Sequence, residues 1–431
     1  MNFLKKQSPV RIISLGFALV ILIGSVLLSL PCSIRDGVTL RYIDALYMST
    51  SAVCVTGLLT VDAGDTLTPL GQFFLGMLIQ VGGLGVTAVG TGVILAMGKK
   101  INLKARNLIR EAGNLDSGKG VIRFIRLVFL TTVTFELAGA ALSFLVFRKN
   151  FPPLKAAGVS LFHSVASFNN SGFDILGGGQ NLIPYQDDIL LNLVTCALVI
   201  FGGIGFLVIR EVIAKRFRWK KLSMHAKVVL FMSLVLTAAG TVLLKLTEDI
   251  TWMGAFFTSV SARTAGFSTF PLGSFSGAGL LTVIVLMVIG ASPGSTGGGI
   301  KTTTCYVLFE GIRSSATNTS EKAFRYAVPA DAFRKAAVIT LLAIGIVLSG
   351  TYILVILEPG VPFLDALFEM SSAFGTAGLS TGISAGLCDA AKILTILVMF
   401  IGRLGPLTIA SLWYFTKGER VSYPEGNIAI G

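Results

Sequence analysis

The run IISLGFALVILIGSVLLSL, residues 12–30, carries no charged side chain. Seven further apolar runs follow at roughly 70–97, 122–147, 188–209, 227–246, 279–309, 336–357 and 392–415. About 20 apolar residues cross a bilayer as a helix. Backbone at that depth must find its hydrogen-bond partners inside the protein or in enclosed water. The chain of 431 residues is 53% hydrophobic and 13% charged, against about 25% charged in a soluble domain. These features specify an all-α polytopic membrane protein and set aside a soluble enzyme or a nucleic-acid-binding protein. Lys5, Lys6 and Arg11 precede the first run. It is too long for a signal-peptide core and no A-x-A site follows. Pro31 before Cys32 makes SLPC a poor lipid-attachment box. The run is therefore read as a first spanning helix that starts inside the cell.

Between the members of each pair of runs lies a shorter amphiphilic stretch. The four stretches align without gaps: ALYMSTSAVCVTG ending at Gly57, SLFHSVASFNNSG at Gly172, GAFFTSVSARTAG at Gly266 and ALFEMSSAFGTAG at Gly378. Ten residues before the glycine stands an aromatic (Tyr47, Phe162, Phe256, Phe368), and five before it a small residue (Ala52, Ser167, Ser261, Ala373). The residue after it is large and apolar: Leu58, Phe173, Phe267, Leu379. Four such matches make an internal repeat. The unit is helix, re-entrant loop, helix. Its copies fall at 1–98, 99–220, 221–316 and 317–431. The expected fold is eight transmembrane helices plus four re-entrant pore helices in four fused M1-P-M2 repeats with pseudo-fourfold symmetry.

Charge orients this arrangement. With the N-terminus inside, the regions on that side carry 26 Lys/Arg and 8 Asp/Glu, and the other side 8 Lys/Arg and 13 Asp/Glu. The excess of basic residues follows the positive-inside rule and puts both termini in the cytoplasm. The loops then enter from an acidic outer side, which concentrates cations.

Each loop pairs a short helix with an extended, glycine-containing end. A helix C-terminus carries partial negative charge, and glycine admits torsions that turn carbonyls toward an axis. Four copies around one axis give rings of carbonyl oxygens, which replace the hydration shell of a monovalent cation. The absence of a carboxylate ring argues against a Ca²⁺ or Mg²⁺ site. Cys32, Cys54, Cys196, Cys305 and Cys388 have no C-x-x-C spacing and read as small hydrophobes. His163 and His225 are too few for a metal centre.

On these motifs the sequence resembles the Trk/Ktr/HKT superfamily of potassium transporters, over nearly its whole length. QSPVRIISLGFALVILIGSVLLSLP at the start and YPEGNIAIG at the end are similar to the ion-translocating membrane subunit of bacterial Ktr systems. The resemblance implies a K⁺ selectivity filter at Cys54, Val55, Thr56 and Gly57; Asn169, Asn170, Ser171 and Gly172; Arg263, Thr264, Ala265 and Gly266; and Gly375, Thr376, Ala377 and Gly378. It implies K⁺ uptake across the cytoplasmic membrane, no enzyme activity, no cofactor in this chain, and Na⁺ dependence. A Trk-type symporter coupled to H⁺ or Na⁺ is the alternative. It also implies a membrane homodimer and a cytosolic RCK-type ring of nucleotide-binding regulatory subunits. Arg263 departs from the pattern, since a cation beside a cation filter is repulsive; it is expected to turn outward and pair with an acid.

The stretch VIGASPGSTGGGIKTTT, Val288 to Thr304, interrupts the second helix of the third repeat. Sister positions read VGGLG from Val81, FGGIG from Phe201 and IGRLG from Ile401. Glycine and proline disfavour helix interiors, so this backbone is expected at membrane depth, facing water in the pore. A phosphate-binding loop would need lysine directly after the glycine run, and Ile300 intervenes. In the family this segment is an intramembrane gate. That role falls on Gly290, Ala291, Ser292, Pro293, Gly294, Ser295, Thr296, Gly297, Gly298, Gly299 and Lys301. Arg403 replaces a glycine of the sister helices, at a cost of at least ~2.5 kcal/mol at the bilayer centre. It is expected either to pair structurally with Glu136 or to face the pore and pair with the gating loop. The other inner-helix glycines, Gly82, Gly83, Gly85, Gly202, Gly203 and Gly205, read mainly as close-packing positions.

Overall fold

The computed structural model describes residues 9–96, 121–329 and 331–411. Lys5, Lys6, the segment 97–120 and the ending YPEGNIAIG lie outside the described residues. The described chain is predominantly helical and repeats one pattern four times. A long apolar helix leads: α1 (Pro9–Leu28), α5 (Val121–Phe147), α9 (Met224–Thr247) and α13 (Ala332–Leu357). A short buried helix follows: α2 (Tyr42–Val53), α6 (Pro153–Phe168), α10 (Trp252–Ala262) and α14 (Phe363–Gly375). A returning helix then starts: α3 (Pro69–Leu84), α7 (Ile189–Ile204), α11 (Gly277–Val288) and α15 (Asp389–Leu404). The chain continues into α4 (Val86–Ala96), α8 (Phe206–Ala214), α12 (Thr302–Thr317) and α16 (Pro406–Ser411). A small hairpin, β1 (Lys322–Ala323) with β2 (Tyr326–Ala327), follows α12.

Local chemistry sets these boundaries. Thr68, Asp188, Thr251 and Ser276 cap helix starts with side-chain oxygens, satisfying orphan N–H groups. Pro69 and Pro153 sit in first turns, where no N–H is needed. Gly85, Gly205 and Gly405 end their helices at φ of 86°, 91° and 90°, a region open to glycine and costly for other residues. The returning helices of the first two repeats bend there by 101° and 97°. Gly85 thus acts as a helix break and not as a packing position, whereas Gly205 is both, a Cβ there lying 2.7 Å from the Pro293 carbonyl oxygen. Among the described residues, four single helices are long and apolar enough by length and composition to cross a membrane, or up to six spans if each bent pair counts as one. The interruption expected in the third repeat is present, and the other three returning helices are interrupted as well, at Gly85, Gly205 and Gly405. In the third repeat α11 stops at Val288 and α12 resumes at Thr302, so 279–309 is not one helix.

The leading helices present Leu15, Leu19, Leu130, Leu234, Leu341 and Leu348 outward. The short helices are enclosed. Their hydroxyls reach backbone carbonyls on the leading helices: Ser49 to Ile21 (2.7 Å), Ser164 to Glu136 (2.6 Å) and Ser259 to Thr237 (2.9 Å). Each returning helix packs on the next repeat's short helix: α3 on α6, α7 on α10, α11 on α14, and α15 back on α2. The ring of repeats is therefore closed.

Asp44 of α2 and Lys392 of α15 fasten that closure with a 2.7 Å ion pair, their side chains 8% and 4% exposed. Arg41 bridges Asp44 and Asp389 at the rim. Removing one partner of a buried pair costs about 3–5 kcal/mol. Lys392→Met should accordingly lower the thermal-unfolding midpoint in detergent, and adding Asp44→Asn should restore part of the loss.

Candidate functional site

Each short helix ends by running into a segment that closes on the next repeat. A Cβ built on Gly57 would lie 2.3 Å from the Ser171 carbonyl oxygen, on Gly172 2.7 Å from that of Ala265, on Gly266 2.8 Å from that of Ala377, and on Gly378 2.2 Å from that of Thr56. The glycines thus meet in cyclic order, each touching the carbonyl that precedes its neighbour's glycine. All four have positive φ, between 67° and 96°, so a side chain there is strained and requires the facing carbonyl to shift. Two residues earlier Val55, Asn170, Thr264 and Thr376 also have positive φ (56°, 57°, 85°, 49°). For β-branched Val and Thr this region is strained, and strain of that kind collects at functional sites.

The sixteen expected residues divide into two groups. The last three of each tetrad form the ring and its approach. The first of each sits on a helix end, facing elsewhere. Cys54 caps α2. Asn169 Nδ2, with two hydrogens to give, lies within hydrogen-bond distance of Gln80 Oε1 (2.8 Å), Glu136 Oε1 (3.0 Å) and the Val165 carbonyl (2.9 Å). Gly375 ends α14 against the Met287 carbonyl. Arg263 reaches α9, donating to the Ser233 carbonyl (3.0 Å), Thr237 Oγ1 (3.2 Å) and Ser233 Oγ (3.2 Å). It turns from the ring as expected, but onto a carbonyl and two hydroxyls and not onto an acid, because α9 offers no carboxylate there. Asn170 Oδ1 accepts from Thr264 Oγ1 at 3.1 Å while its amide donates to Ser167 and Val199 carbonyls.

The third repeat is one residue shorter than the ungapped alignment requires. Gly24, Gly139 and Gly350 pack on Ser49, Ser164 and Met370, each eight residues before its ring glycine. Gly240 packs on Ser259, seven before Gly266. The structural counterpart of Tyr47 is thus Phe257, and Phe256 is displaced by one.

Residues 290–301 lie against the helix-end side of the ring. Ile289 and Ile300 bridge in parallel and close the loop's base. Ser292 N donates to the Gly203 carbonyl (3.0 Å) and Thr296 N to that of Gly202 (3.3 Å); Phe206 N donates to the Gly294 carbonyl (3.1 Å). Gly298 N donates to Thr376 Oγ1 (3.0 Å). Ser292 and Thr302 hydroxyls pair at 2.9 Å. Lys301 Nζ donates to the Gly297 (2.8 Å) and Gly298 (3.2 Å) carbonyls. Arg403 donates to the carbonyls of Thr296 and Gly82, and of Gly83 at 3.4 Å. Glu136 is bound by Asn169, so the expected Glu136–Arg403 pair is not formed. A cavity of about 270 Å³ adjoins the loop, lined by Phe17, Phe124, Phe206, Gly294, Ser295 and Arg403 among others.

On the opposite side a cavity of about 500 Å³ is lined by Gly57, Gly266, Gly378, Asp62, Asp174, Asn181 and Ser380 among others. Asp174 lies in the loop beyond Gly172. Burial, with smaller contributions from Asp62 and Asp65, pushes its carboxyl up to about 7. Asp62 and Asp65 accept from Gly179 N (2.7 Å) and Gly178 N (2.8 Å). Asn181 was not singled out in the sequence. Its Nδ2 donates to the Gly172 carbonyl (3.2 Å) and its Oδ1 accepts from Ser268 N (3.2 Å), tying the second repeat's mouth to the third. A single polar residue in a long loop carries no sequence signal of that role.

A profile of the TrkH family, described as a cation transport protein, matches residues 10–416. The chain is 36% identical over 438 residues to Ktr system potassium uptake protein B of Bacillus subtilis, covering 98% of this chain and 97% of that protein. It is 35% identical over 448 residues to potassium/sodium uptake protein NtpJ of Enterococcus hirae, covering 99% and 98%. Among solved structures, the potassium transporter TrkH from Vibrio parahaemolyticus shares the fold at a TM-score of 0.75 and 19% identity, over 95% of this chain and 86% of that one.

Arg403→Gln removes the cation that ties the loop to the first repeat. With Cys32 and Cys388 replaced by serine, Ser295→Cys should then react with a thiol reagent about tenfold faster or more, the scale of one lost hydrogen bond to a charged group.

Proposed function

Because the chain belongs to the TrkH family of cation transport proteins, we propose that it takes up K⁺ across the cytoplasmic membrane through a single central pore in each subunit. The observation that carries this reading is the closed glycine ring, in which each ring position abuts the next repeat's carbonyl oxygen. Carbonyl rings suit a bare alkali cation, to which they offer the dipoles that water otherwise supplies. Eight membrane crossings, four of them bent or broken, and four pore helices complete the proposed architecture, with the repeats divided at 98, 220 and 316. Both termini are cytoplasmic in this reading, and the cavity beside Asp174 is the outer vestibule.

K⁺ enters that vestibule, sheds water at residues 55–57, 170–172, 264–266 and 376–378, and meets the loop 290–301 as an intramembrane gate. Lys301 and Arg403 hold that gate by its carbonyls and place positive charge below the filter. The names of the relatives support the cargo: Ktr potassium uptake for one and potassium/sodium uptake for another. We extend this to Na⁺-dependent flux, a homodimer with one pore in each protomer, and a cytosolic RCK-type ring that binds nucleotide and acts on the loop.

⁸⁶Rb⁺ uptake into proteoliposomes tests the proposal. Gly266→Ser should lower discrimination of K⁺ over Na⁺ roughly tenfold, about 1.4 kcal/mol, in a protein that remains folded; an unchanged ratio overturns the filter. The vestibule makes a second prediction. Asp174 is neutral below about pH 7 and charged above it, so uptake at low external K⁺ should rise as outer pH passes upward through that value. In Asp174→Asn the rise should disappear, leaving uptake at its low-pH level.

A further inference from the structure

The residue after the buried aromatic of each short helix stands behind the ring. In structural register these residues are Met48, His163, Thr258 and Glu369. Only the fourth is a carboxylate. It is 0% exposed and joins no ion pair among the described residues. A buried charge without partners is costly, so its partners define what it does.

Those partners lie in the segment that leaves the ring. Glu369 Oε2 accepts from Ser380 Oγ at 2.8 Å, and Oε1 accepts from Ser384 Oγ. The two hydroxyl oxygens lie 3.1 Å apart, and Ser380 Oγ also accepts from Gly382 N (3.0 Å). Ser380 is two residues past Gly378, and both serines line the 500 Å³ cavity. On the other side stands Tyr47 of the first repeat, fully buried, its hydroxyl set against Glu369 and Ser384. Asp365, one turn earlier on α14, is the other charged group near it.

The carboxyl thus ties the exit of the fourth filter segment to α14, at the seam where the fourth repeat meets the first. Losing the partners of a buried polar group leaves it unpaired away from water, which is costly. Gly378 abuts the Thr56 carbonyl across that seam. Holding residues 379–384 back therefore fixes how near the fourth quarter of the ring approaches the first. A ring kept from closing favours the larger alkali ion over the smaller.

We propose that Glu369 is a positioning residue for ion selectivity, acting through Ser380 and Ser384 on the Gly378 quarter of the ring. The proposal rests on the filter reading above. It makes the fourth quarter differ from the third, where Thr258 stands in place of the carboxyl and no such tie exists among the described residues.

The test measures ⁸⁶Rb⁺ and ²²Na⁺ uptake in parallel in proteoliposomes, for the wild type, Glu369→Gln and the double variant Ser380→Ala/Ser384→Ala. Each is first checked for a single symmetric peak in gel filtration. The double variant breaks the same bonds from the vestibule side and serves if Glu369→Gln does not fold. The expected result is a Rb⁺/Na⁺ ratio lowered roughly tenfold in the double variant, the scale of a buried polar group left unpaired, with Rb⁺ uptake retained. A ratio equal to wild type, or an equal slowing of both ions, overturns the positioning role. A wild-type protein that does not distinguish the two ions fails the filter reading itself, which separates the two failures.

Discussion

Backbone that leaves a helix at membrane depth has to be paired by protein or wetted. This chain leaves its helices four times at the ring, at the breaks at Gly85, Gly205 and Gly405, and over residues 290–301. The ring resolves the constraint one-sidedly. The N–H before each ring glycine returns to its own short helix: Thr56 to Ser51 (2.7 Å), Ser171 to Ala166 (2.9 Å), Ala265 to Ser261 (2.8 Å) and Ala377 to Ser372 (2.9 Å). The carbonyls of the same four residues face the neighbouring glycines, and no donor among the described residues reaches them. Donors satisfied outward and acceptors left inward are what the proposed filter for a cation requires. The glycines follow from the same geometry, since a Cβ would fall on a carbonyl oxygen.

The loop resolves the constraint differently. Its N–H groups use the Gly202 and Gly203 carbonyls, which are freed where the second repeat's helix breaks at Gly205. Its own carbonyls are met by two cations, Lys301 and Arg403. A buried charge is costly alone, and a set of unpaired carbonyls is costly alone; together they offset one another. Arg403 reaches from the fourth repeat to carbonyls of the third and first, so one side chain joins three repeats beneath the ring.

Much of this was legible in the sequence because it rests on backbone. Helix-length apolar runs, a glycine at a fixed place in each repeat and a long glycine-rich interruption all register as residue types at spacings. The returning-helix breaks were seen as glycine runs, but not which glycine carries positive φ. Side-chain partners were not legible. Arg263 and Glu136 each needed a partner, and sequence offers only opposite charge as a guess. The fold instead supplied α9 hydroxyls to Arg263 and an amide to Glu136. The one-residue shortening before Gly266 was hidden because two phenylalanines, Phe256 and Phe257, stand side by side and either fits an ungapped pattern.

Fourfold symmetry leaves room on its axis for one occupant, and this bears on why only one repeat carries a long interruption. The loop from the third repeat touches Phe168 of the second (Thr296 Oγ1 to its carbonyl, 3.4 Å) and Thr376 of the fourth, and reaches the first through Arg403. A Cβ on Gly297 would lie 2.2 Å from Thr264 Oγ1, and on Gly298 2.5 Å from Thr376 Oγ1. The loop is pressed on the hydroxyls below the ring so closely that only glycine fits. Four such loops would collide; one suffices to fill the space. It is held by hydrogen bonds and two cation–carbonyl contacts, with Ala291 and Ile300 as its buried apolar residues. This construction supports the proposed gate: polar partners can be exchanged for water without opening the packed core around α2, α6, α10 and α14.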